Sequence, residues 1–358
     1  MIKLLLVVGA RPNFMKIAPL IHELKLQDII SYKLVHTGQH YDYKMSSAFF
    51  SDLDIPKPSY FLNVGSGSHA EQTAKIMIGF EKVCIDYKPN LVLVVGDVNS
   101  TLACSITAKK LNIDVAHIEA GLRSNDREMP EEINRIVTDS ISDYFFVTEE
   151  SGMKNLINEG IDQNNIFFLG NLMIDTLYYG LDQIKSKNKF SNDDYGVVTL
   201  HRPSNVDDKF ILDELVEVLN EISKTLILHF PLHPRTKKAF DQFGLNNKIN
   251  KSIHLIEPKS YLNFIHMVRD AKVIFTDSGG IQEEATVLKT PCYTFRNNTE
   301  RPITVIQGTN RLVGNRKNKI LKSFNQNKFT INKNYKLPKY WDGKSASRIL
   351  EVINKITR

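Results

Sequence analysis

Residues 91–101 read Leu-Val-Leu-Val-Val-Gly-Asp-Val-Asn-Ser-Thr, an apolar run that ends in a glycine and an aspartate. A short apolar run bounded by such residues is typical of a strand buried on both faces of a sheet. The helix-like stretch 99–111 overlaps its end, and the next strand-like run is 113–118. Strand, helix and strand at this spacing predict a parallel sheet joined by right-handed crossovers.

The same alternation extends along the chain and then restarts. The strand-like runs are 2–8, 32–37, 91–95, 113–118, 143–147 and 166–169 in the first half, and 195–200, 225–230, 252–256, 272–276 and 291–295 in the second. With 358 residues, at about 150 residues per domain, the chain is long enough for two domains. We therefore predict an α/β protein with two Rossmann-like parallel-sheet domains, 1–172 and 173–342, followed by an amphipathic C-terminal helix in 343–358.

The composition excludes several classes of protein. Apolar residues make up 42% of the chain and charged residues 24%, which is typical of a globular protein and not of a disordered or coiled-coil chain. No apolar run reaches the roughly 18 residues of a membrane span, and the apolar start 2–8 is interpreted as a buried strand rather than a signal peptide. The three cysteines form no CxxC pattern, so we expect no disulfide framework, no metal site and a cytoplasmic location.

The net charge of +6 comes from one segment of the chain. Residues 315–344 hold nine of the 46 basic residues against one of the 40 acidic ones, and the remaining 37 basic and 39 acidic residues nearly cancel. A solvated Lys/Asn-rich surface is the favoured interpretation, because this segment lacks the interleaved aromatic residues of a nucleic-acid platform. We expect neither nucleic acid nor a membrane as a partner.

Polar residues follow the first predicted strand. Gly9 permits a tight turn and Pro12 suits the first turn of a helix. Arg11 and Lys16 are then near a helix N-terminus, where anions bind. The alternative is an ordinary surface arginine and lysine. The stretch is not a GxGxxG fingerprint, so it does not imply a dinucleotide.

Three carboxylates lie at or near later strand ends, where open α/β sheets bind ligands. Asp97 and Glu119 follow strand-like runs, and Glu131 comes after Pro130 at a helix start. Each has a structural alternative: a helix cap for Asp97, an ion pair with Arg123 for Glu119, and a favourable first-turn charge for Glu131. Three carboxylates near one crevice are more than capping needs, and they favour an acid/base set.

The second half carries the strongest phosphate signal. Ser278, Gly279 and Gly280 follow the strand-like run 272–276 and open a helix whose backbone N–H groups face outward. Glu284 lies about one turn further and could accept hydrogen bonds from ribose hydroxyls. The alternative is an ordinary glycine-rich turn between a strand and a helix.

Two histidines and two arginines complete the strand-end residues. His201 and His233 each follow a strand-like run, although a single histidine is more often structural than catalytic. Arg296 and Arg301 bracket a short loop and suit an anionic or hydroxyl-rich ligand. The alternative is a surface loop in which Glu300 contacts Arg301.

These motifs together resemble one family, the non-hydrolysing UDP-N-acetylglucosamine 2-epimerases. They are Gly-Ala-Arg-Pro at 9–12, Thr-Gly-Gln-His at 37–40, Gly-Asp at 96–97, His-Ile-Glu-Ala-Gly-Leu-Arg at 117–123, Pro-Glu-Glu-Ile-Asn-Arg at 130–135, Thr-Asp-Ser-Gly-Gly-Ile-Gln-Glu-Glu at 276–284 and Thr-Glu-Arg-Pro at 299–302. The resemblance runs from Met1 to about Gly314 and resumes at 342–344. It implies a glycosyltransferase B type fold, with two domains facing across a cleft that holds the ligand and a last helix packed back on the first domain.

The resemblance also implies a reaction. Family members invert carbon 2 of UDP-GlcNAc to give UDP-ManNAc, a surface polysaccharide precursor, by eliminating UDP to a 2-acetamidoglucal and adding it back. They need no cofactor, and a homodimer is expected. Because the carbon 2 proton leaves one face and returns to the other, two acid/base groups are required.

The residues of this site follow from the resemblance alone. Asp97, Glu119 and Glu131 form the acid/base set, and His201 is placed with them at the catalytic centre. The diphosphate is held by His201, Arg11, Ser278, Gly279 and Gly280, the ribose by Glu284, and the weaker binding candidates are Lys16, Arg123, Arg135, His233, Arg296 and Arg301.

The chain departs from the family at two places. Tyr41-Asp42 and Pro203 stand where many members have Arg-Glu and Arg, near a second UDP-GlcNAc site that activates some bacterial enzymes. The resemblance therefore does not extend to allosteric activation. A relative acting on UDP-2,3-diacetamido-2,3-dideoxyglucuronate remains the first alternative, and a UDP-sugar glycosyltransferase or a non-catalytic nucleotide-sugar sensor the others. Hydrolysing relatives usually have His in place of Glu119.

Overall fold

The computed structural model of the chain describes residues 2–38 and 50–357, with the side chain of Arg11 left out. The expectations for the Arg11 side chain, for Gln39-His40 and for Tyr41-Asp42 therefore lie outside the described residues. Contacts between Cα atoms group the chain into two units. Unit 1 comprises Met1–Tyr179 and Lys339–Arg358, and unit 2 comprises Gly180–Pro338.

Unit 1 is built on a parallel sheet. Its strands are β1 (Ile2–Val8), β2 (Ile30–His36), β3 (Tyr60–Phe61), β4 (Leu91–Val95), β5 (Asp114–Ile118), β6 (Tyr144–Val147) and β7 (Ile166–Phe168). The intervening helices are α1 (Arg11–Leu24), α2 (His69–Tyr87), α3 (Asn99–Lys110), α4 (Pro130–Ile141), α5 (Glu150–Asn158) and α6 (Leu172–Ile184). The strand order is β3-β2-β1-β4-β5-β6-β7, and all pairs are parallel.

Unit 2 repeats this architecture with six parallel strands. They are β8 (Tyr195–Thr199), β9 (Ile227–Pro231), β10 (Ile253–Ile256), β11 (Val273–Thr276), β12 (Cys292–Thr294) and β13 (Asn310–Leu312), in the order β10-β9-β8-β11-β12-β13. Its helices are α7 (Pro203–Val206), α8 (Lys209–Ile222), α9 (Pro234–Phe243), α10 (Tyr261–Arg269), α11 (Gly279–Leu288), α12 (Pro302–Ile306) and α13 (Lys317–Asn327).

The predicted fold class is confirmed: two parallel α/β sheets, one in each half of the chain. The central strands β1 and β4 are buried nearly throughout, as expected for strands covered by helices on both faces. Strands β3 and β13 were not predicted from the sequence. Strand β3 has only two residues, and β13 reads Asn-Arg-Leu, which contains a single apolar residue. The unit boundary falls after Tyr179, inside α6, whereas the sequence suggests 172/173 and 342/343 for the domain boundaries. An unbroken helical pattern gives no local mark of such a boundary.

The C-terminal helix α14 (Ser345–Ile356) belongs to unit 1 and packs against α1. Its first turn is anchored by Asp175, whose Oδ2 accepts a hydrogen bond from the Ala346 N–H at 2.8 Å. Just before it, Trp341 is fully buried and donates its indole N–H to the Thr148 carbonyl at 3.3 Å. Among the described residues, no helix combines the length and apolar character needed to cross a membrane.

A glycine after β7 permits the close approach of this C-terminal segment. Gly170 has φ +98°, and a β-carbon there would lie 2.3 Å from the Tyr340 carbonyl oxygen. We expect Gly170→Ala to lower the free energy of unfolding by about 2–4 kcal/mol, since backbone strain and a steric clash add. Chemical denaturation measures the loss.

Gly160 offers a matched control. Its φ is +88°, but a β-carbon there meets no atom within 4 Å. Gly160→Ala should therefore lose only the backbone-strain part, about 1–2 kcal/mol. Equal losses in the two variants would contradict a role for the contact with Tyr340.

Candidate active site at the strand ends

In unit 1 the carboxyl ends of three neighbouring strands bring the candidate residues together. Strands β1, β4 and β5 are adjacent in the sheet, so the segments 9–16, 96–99 and 117–123 meet at one edge. The turn after β1 is closed by Asn13, whose Oδ1 accepts hydrogen bonds from the N–H groups of Gly9 and Ala10 at 3.2 and 3.0 Å. This turn places the first turns of α1 beside the end of β4.

Glu119 and Lys16 form a buried ion pair at this edge. The distance from Lys16 Nζ to Glu119 Oε2 is 2.5 Å, and the side chains are 9% and 5% exposed. Glu119 has φ +72°, a left-handed backbone conformation that is uncommon outside glycine. Gly96 lies against the pair, because a β-carbon there would be 3.2 Å from Lys16 Nζ. The alternative partner considered for Glu119, Arg123, is engaged elsewhere.

Asp97 is held by an arginine of α4. Arg135 donates to Asp97 Oδ2 from Nε at 3.0 Å and from Nη2 at 2.8 Å. Asn134, the preceding residue, donates to the Asp97 carbonyl at 2.8 Å. The Asp97 side chain remains 31% exposed, and in the described part of the chain its Oδ1 has no hydrogen-bond partner. This carboxylate is therefore both oriented and accessible.

The adjacent carboxylates Glu131 and Glu132 differ completely in environment. Glu132 is 1% exposed, is paired with Arg135, and accepts hydrogen bonds from the N–H groups of Ser124 and Asn125 at 3.0 and 2.9 Å. Burial raises the pKa of Glu132, but these partners outweigh it and hold the pKa below its usual value. Glu131 is half-buried and, counting described residues only, makes no hydrogen bond or ion pair. Glu132 thus supports the loop, whereas no contact among the described residues assigns Glu131 such a role.

A buried network supports the Glu119 loop from below. Asp139 accepts from His117 Nδ1 at 2.6 Å, from the Gly121 N–H at 3.0 Å and from Arg123 Nη1 at 2.7 Å. His117 Nε2 is bonded to the Gly96 carbonyl at 2.8 Å, and Arg123 is also paired with Glu159 at 2.6 Å. Arg123, a weak ligand candidate from the sequence, is thus occupied by these two carboxylates.

Asp139 was not singled out from the sequence. A signal existed, since Glu132, Arg135 and Asp139 are spaced at i, i+3 and i+7 and form one buried polar face of α4.

In unit 2 a buried aspartate organises the edge formed by β8 and β11. Asp277 is fully buried and accepts hydrogen bonds from the N–H groups of His201 and Arg202 at 3.0 and 2.9 Å and from Asn205 Nδ2 at 3.2 Å. His201 Nδ1 lies 3.0 Å from Asp277 Oδ1. Burial raises the pKa of Asp277, but His201 and the backbone N–H groups outweigh it, so the pKa is lower than usual. The sequence motif contains Asp277, but no role for it was predicted.

The predicted phosphate turn begins α11. Ser278 is the N-cap, and its N–H donates to Thr276 Oγ1 at 2.9 Å. Helix α11 starts at Gly279, where a β-carbon would lie 2.7 Å from Glu300 Oε1. Glu284 is buried one turn further along, and the Tyr261 hydroxyl lies 3.4 Å from its Oε1.

The arginines near this turn are paired with buried carboxylates. Arg296 Nη2 contacts Glu300 at 2.7 Å, and Arg301 Nε contacts Glu283 at 2.7 Å. Burial raises the pKa of Glu300, but Arg296 and Arg301 lower it by more than burial raises it. The pKa of Glu300 is therefore well below its usual value. Nothing in the sequence distinguishes these partners from the contact between Glu300 and Arg301.

His233 stands beside His201. The ring centroids are 5.5 Å apart, and His233 Nδ1 accepts the Arg235 N–H at 3.2 Å as the N-cap of α9. The unit 2 edge therefore presents a helix N-terminus, two histidines and a buried carboxylate that holds one of them. This set suits an anionic ligand.

Comparison with known proteins gives matches along nearly the whole chain. A family model described as UDP-N-acetylglucosamine 2-epimerase matches residues 22–354. A UDP-N-acetylglucosamine 2-epimerase of Methanocaldococcus jannaschii is 46% identical, over 98% of each chain. The crystal structure of the M. jannaschii UDP-GlcNAc 2-epimerase in complex with UDP-GlcNAc and UDP has a TM-score of 0.91 at 45% identity, over 99% of this chain and 100% of that one.

A second specificity occurs among the similar proteins. A UDP-2,3-diacetamido-2,3-dideoxy-D-glucuronate 2-epimerase of Pseudomonas aeruginosa is 39% identical, over 99% of this chain and 100% of its own length. Similarity of this extent fixes the family but leaves the sugar substituents open.

The contrast between Glu131 and Glu132 can be measured. We expect Glu132→Gln to lower the free energy of unfolding at pH 7 by about 2–4 kcal/mol, because Arg135 loses a buried partner. Glu131→Gln, in a half-exposed position, should stay within about 0.5 kcal/mol of the unmodified chain. Urea denaturation of both variants gives the two values.

The same pair predicts a pH dependence. The pKa of Glu132 is lower in the folded chain than in the unfolded chain. Its contribution to the free energy of unfolding is therefore fully present above the unfolded-state pKa, and it is lost as the pH falls through the folded-state pKa. The stability gap between the unmodified chain and Glu132→Gln should therefore narrow on acidification. A gap that stays constant down to acid unfolding would contradict the assignment.

Proposed function

Because this chain belongs to the UDP-N-acetylglucosamine 2-epimerase family, we propose that it interconverts UDP-GlcNAc and UDP-ManNAc without net hydrolysis. One observation carries the proposal. Asp97 and Glu119 follow adjacent strands, and each is oriented by a cation. Glu131, which makes no ion pair with any described residue, lies on α4, and this helix also supplies the cation for Asp97. This gives unit 1 more than one acid/base group, as an inversion at carbon requires.

Unit 2 is proposed to hold the UDP group. Ser278, Gly279 and Gly280 stand at the start of α11, where the N–H groups of Gly279 and Gly280 are suited to a diphosphate oxygen. His201 is on the neighbouring strand end, and Glu284, one turn into α11, would accept from the ribose hydroxyls. The Arg11 side chain is proposed as a further diphosphate ligand, as the family resemblance implies.

The proposed reaction begins with an elimination. A carboxylate removes the proton on carbon 2, the electron pair forms the carbon 1–carbon 2 double bond, and the bond from carbon 1 to the UDP oxygen breaks with its pair leaving on UDP. UDP then adds back to the 2-acetamidoglucal, and carbon 2 takes a proton on the opposite face. The two proton transfers use groups on different sides of the sugar, and Asp97, Glu119 and Glu131 are the proposed set.

Lys16 and Arg135 are proposed to orient this set. Each cation lies within 3 Å of its carboxylate, so neither Glu119 nor Asp97 can rotate freely. The residue at position 119 also bears on the outcome, since hydrolysing relatives usually carry His there. A glutamate at 119 favours return of UDP to the intermediate.

The first alternative is epimerisation of UDP-2,3-diacetamido-2,3-dideoxyglucuronate, which the P. aeruginosa relative supports. A glycosyltransferase would need one base and an acceptor site, and a sensor would have no use for Asp97 or Glu131. Comparison of kcat/KM for the two UDP-sugars distinguishes the first alternative. A cytoplasmic homodimer that supplies a surface polysaccharide pathway completes the proposal.

Solvent exchange tests the reaction. In deuterated water with UDP-GlcNAc, we expect NMR to show deuterium at carbon 2 of UDP-ManNAc, because the carboxylates exchange their protons with solvent. Inversion that retains the original proton would exclude elimination. Free ManNAc and UDP as the main products would indicate a hydrolase instead.

The carboxylates are tested by amide substitution. We expect Asp97→Asn, Glu119→Gln and Glu131→Gln each to lower kcat by about 100-fold or more, because a positioned acid or base contributes about 10²- to 10⁴-fold. UDP affinity should change little. Glu128→Gln, an exposed carboxylate of the same loop, is the matched control and should keep kcat within about 2-fold. Full activity in Glu131→Gln would remove Glu131 from the set.

A further inference from the structure

The two units each contain a histidine paired with a buried aspartate, and the two pairs differ in one respect. In unit 1, His117 is fully buried and both ring nitrogens are used, Nδ1 by Asp139 and Nε2 by the Gly96 carbonyl. In unit 2, His201 Nδ1 is held by Asp277, but the side chain is 40% exposed and its Nε2 has no partner among the residues that the structure describes. Both ring nitrogens of His117 are therefore engaged, whereas His201 Nε2 has no partner among the described residues.

The orientation of the Asp277 carboxylate does not depend on the His201 imidazole. Its carboxylate also accepts the N–H groups of His201 and Arg202 and the Asn205 side chain, so both oxygens are fixed by the loop after β8. A fixed ionised carboxylate can only accept a hydrogen bond. His201 must therefore carry a proton on Nδ1. Only Nε2 can then be with or without a proton.

His201 and the predicted phosphate turn stand at the same edge of the unit 2 sheet. Strands β8 and β11 are neighbours, and Thr199 and Thr276 contact through their hydroxyls at 2.6 Å. His201 follows the first strand by two residues and Ser278 follows the second by two, so both stand at the same edge. Asp277, between Thr276 and Ser278, links the histidine to the start of α11.

Resting on the proposed function, we propose that Asp277 is a positioning residue, which keeps the His201 proton on Nδ1 and thereby presents Nε2 to the diphosphate. In the imidazolium form, Nε2–H donates a hydrogen bond to the phosphate oxygen on which negative charge develops as the bond to carbon 1 breaks. On re-addition the same bond weakens as that charge returns to carbon 1. No proton need leave the imidazolium ring in either direction.

The test combines kinetics with a spectroscopic readout. We expect Asp277→Asn to lower kcat at neutral pH by about 10- to 100-fold, in the range of one positioned acid/base group. In a His201→Gln background, the same substitution should cost no more than about 2-fold, since its effect acts through His201. Asp207→Asn is the control, because this exposed carboxylate pairs with Arg235 and does not contact His201. It should leave kcat and the His201 tautomer unchanged.

A measurement on the unmodified protein needs no variant to fold. With ¹⁵N-labelled histidine, neutral His201 should show the Nδ1–H tautomer, and titration with UDP should perturb its Nε2 resonance. A neutral Nε2–H tautomer would overturn the proposal, and so would an equal kcat loss for Asp277→Asn with and without His201. A chain that shows the Nδ1–H tautomer and binds UDP, but epimerises no UDP-sugar, would overturn the proposed function and not the positioning role.

Discussion

An ionised carboxylate at the end of a buried parallel strand is costly unless a cation or several N–H groups replace the lost water. The strand-end arrangement of both units follows from this requirement. Asp97, Glu119, Asp139 and Asp277 all lie at or beneath strand ends, and each has such a partner. The partners in turn fix the loops: Lys16 ties α1 to the end of β5, and Arg135 ties α4 to the end of β4.

The two units meet the requirement in different ways. Unit 1 uses side-chain cations, which orient Asp97 and Glu119. Unit 2 uses backbone N–H groups and a histidine around Asp277, just before the start of α11. Under the proposed function, the same parallel-sheet architecture supplies a set of acid/base groups in one unit and an anion site in the other.

The sequence was sufficient for the fold and for the choice of a candidate site. Apolar runs alternating with helical stretches predict both sheets, and the rule that ligands bind at strand ends selects the segments that carry Asp97, Glu119 and His201. It could not supply the pairings. An ion pair with Arg123, four residues away, was the structural alternative for Glu119. Lys16, which pairs with it, is 103 residues away and reaches it through the strand order β1-β4-β5. Glu131 and Glu132 are the same residue type at neighbouring positions, so the sequence does not separate them. They differ because they lie on different faces of α4, and only the face that carries Glu132 is buried.

The backbone of Glu119 adopts a conformation that its residue type disfavours, because the ion pair with Lys16 outweighs that preference. At φ +72° a glycine would be free of strain, whereas a glutamate is held there at a cost of about 1 kcal/mol or more. The left-handed turn aims the carboxylate at Lys16 and Gly96 instead of along the strand. Strain is tolerated because the buried pair and the Asp139 network below it fix both ends of the turn, through the Gly121 N–H and the His117 ring. Removal of Lys16 would therefore take from the strained, buried Glu119 the cation 2.5 Å away, and the loop after β5 would lose one of the interactions that hold its shape.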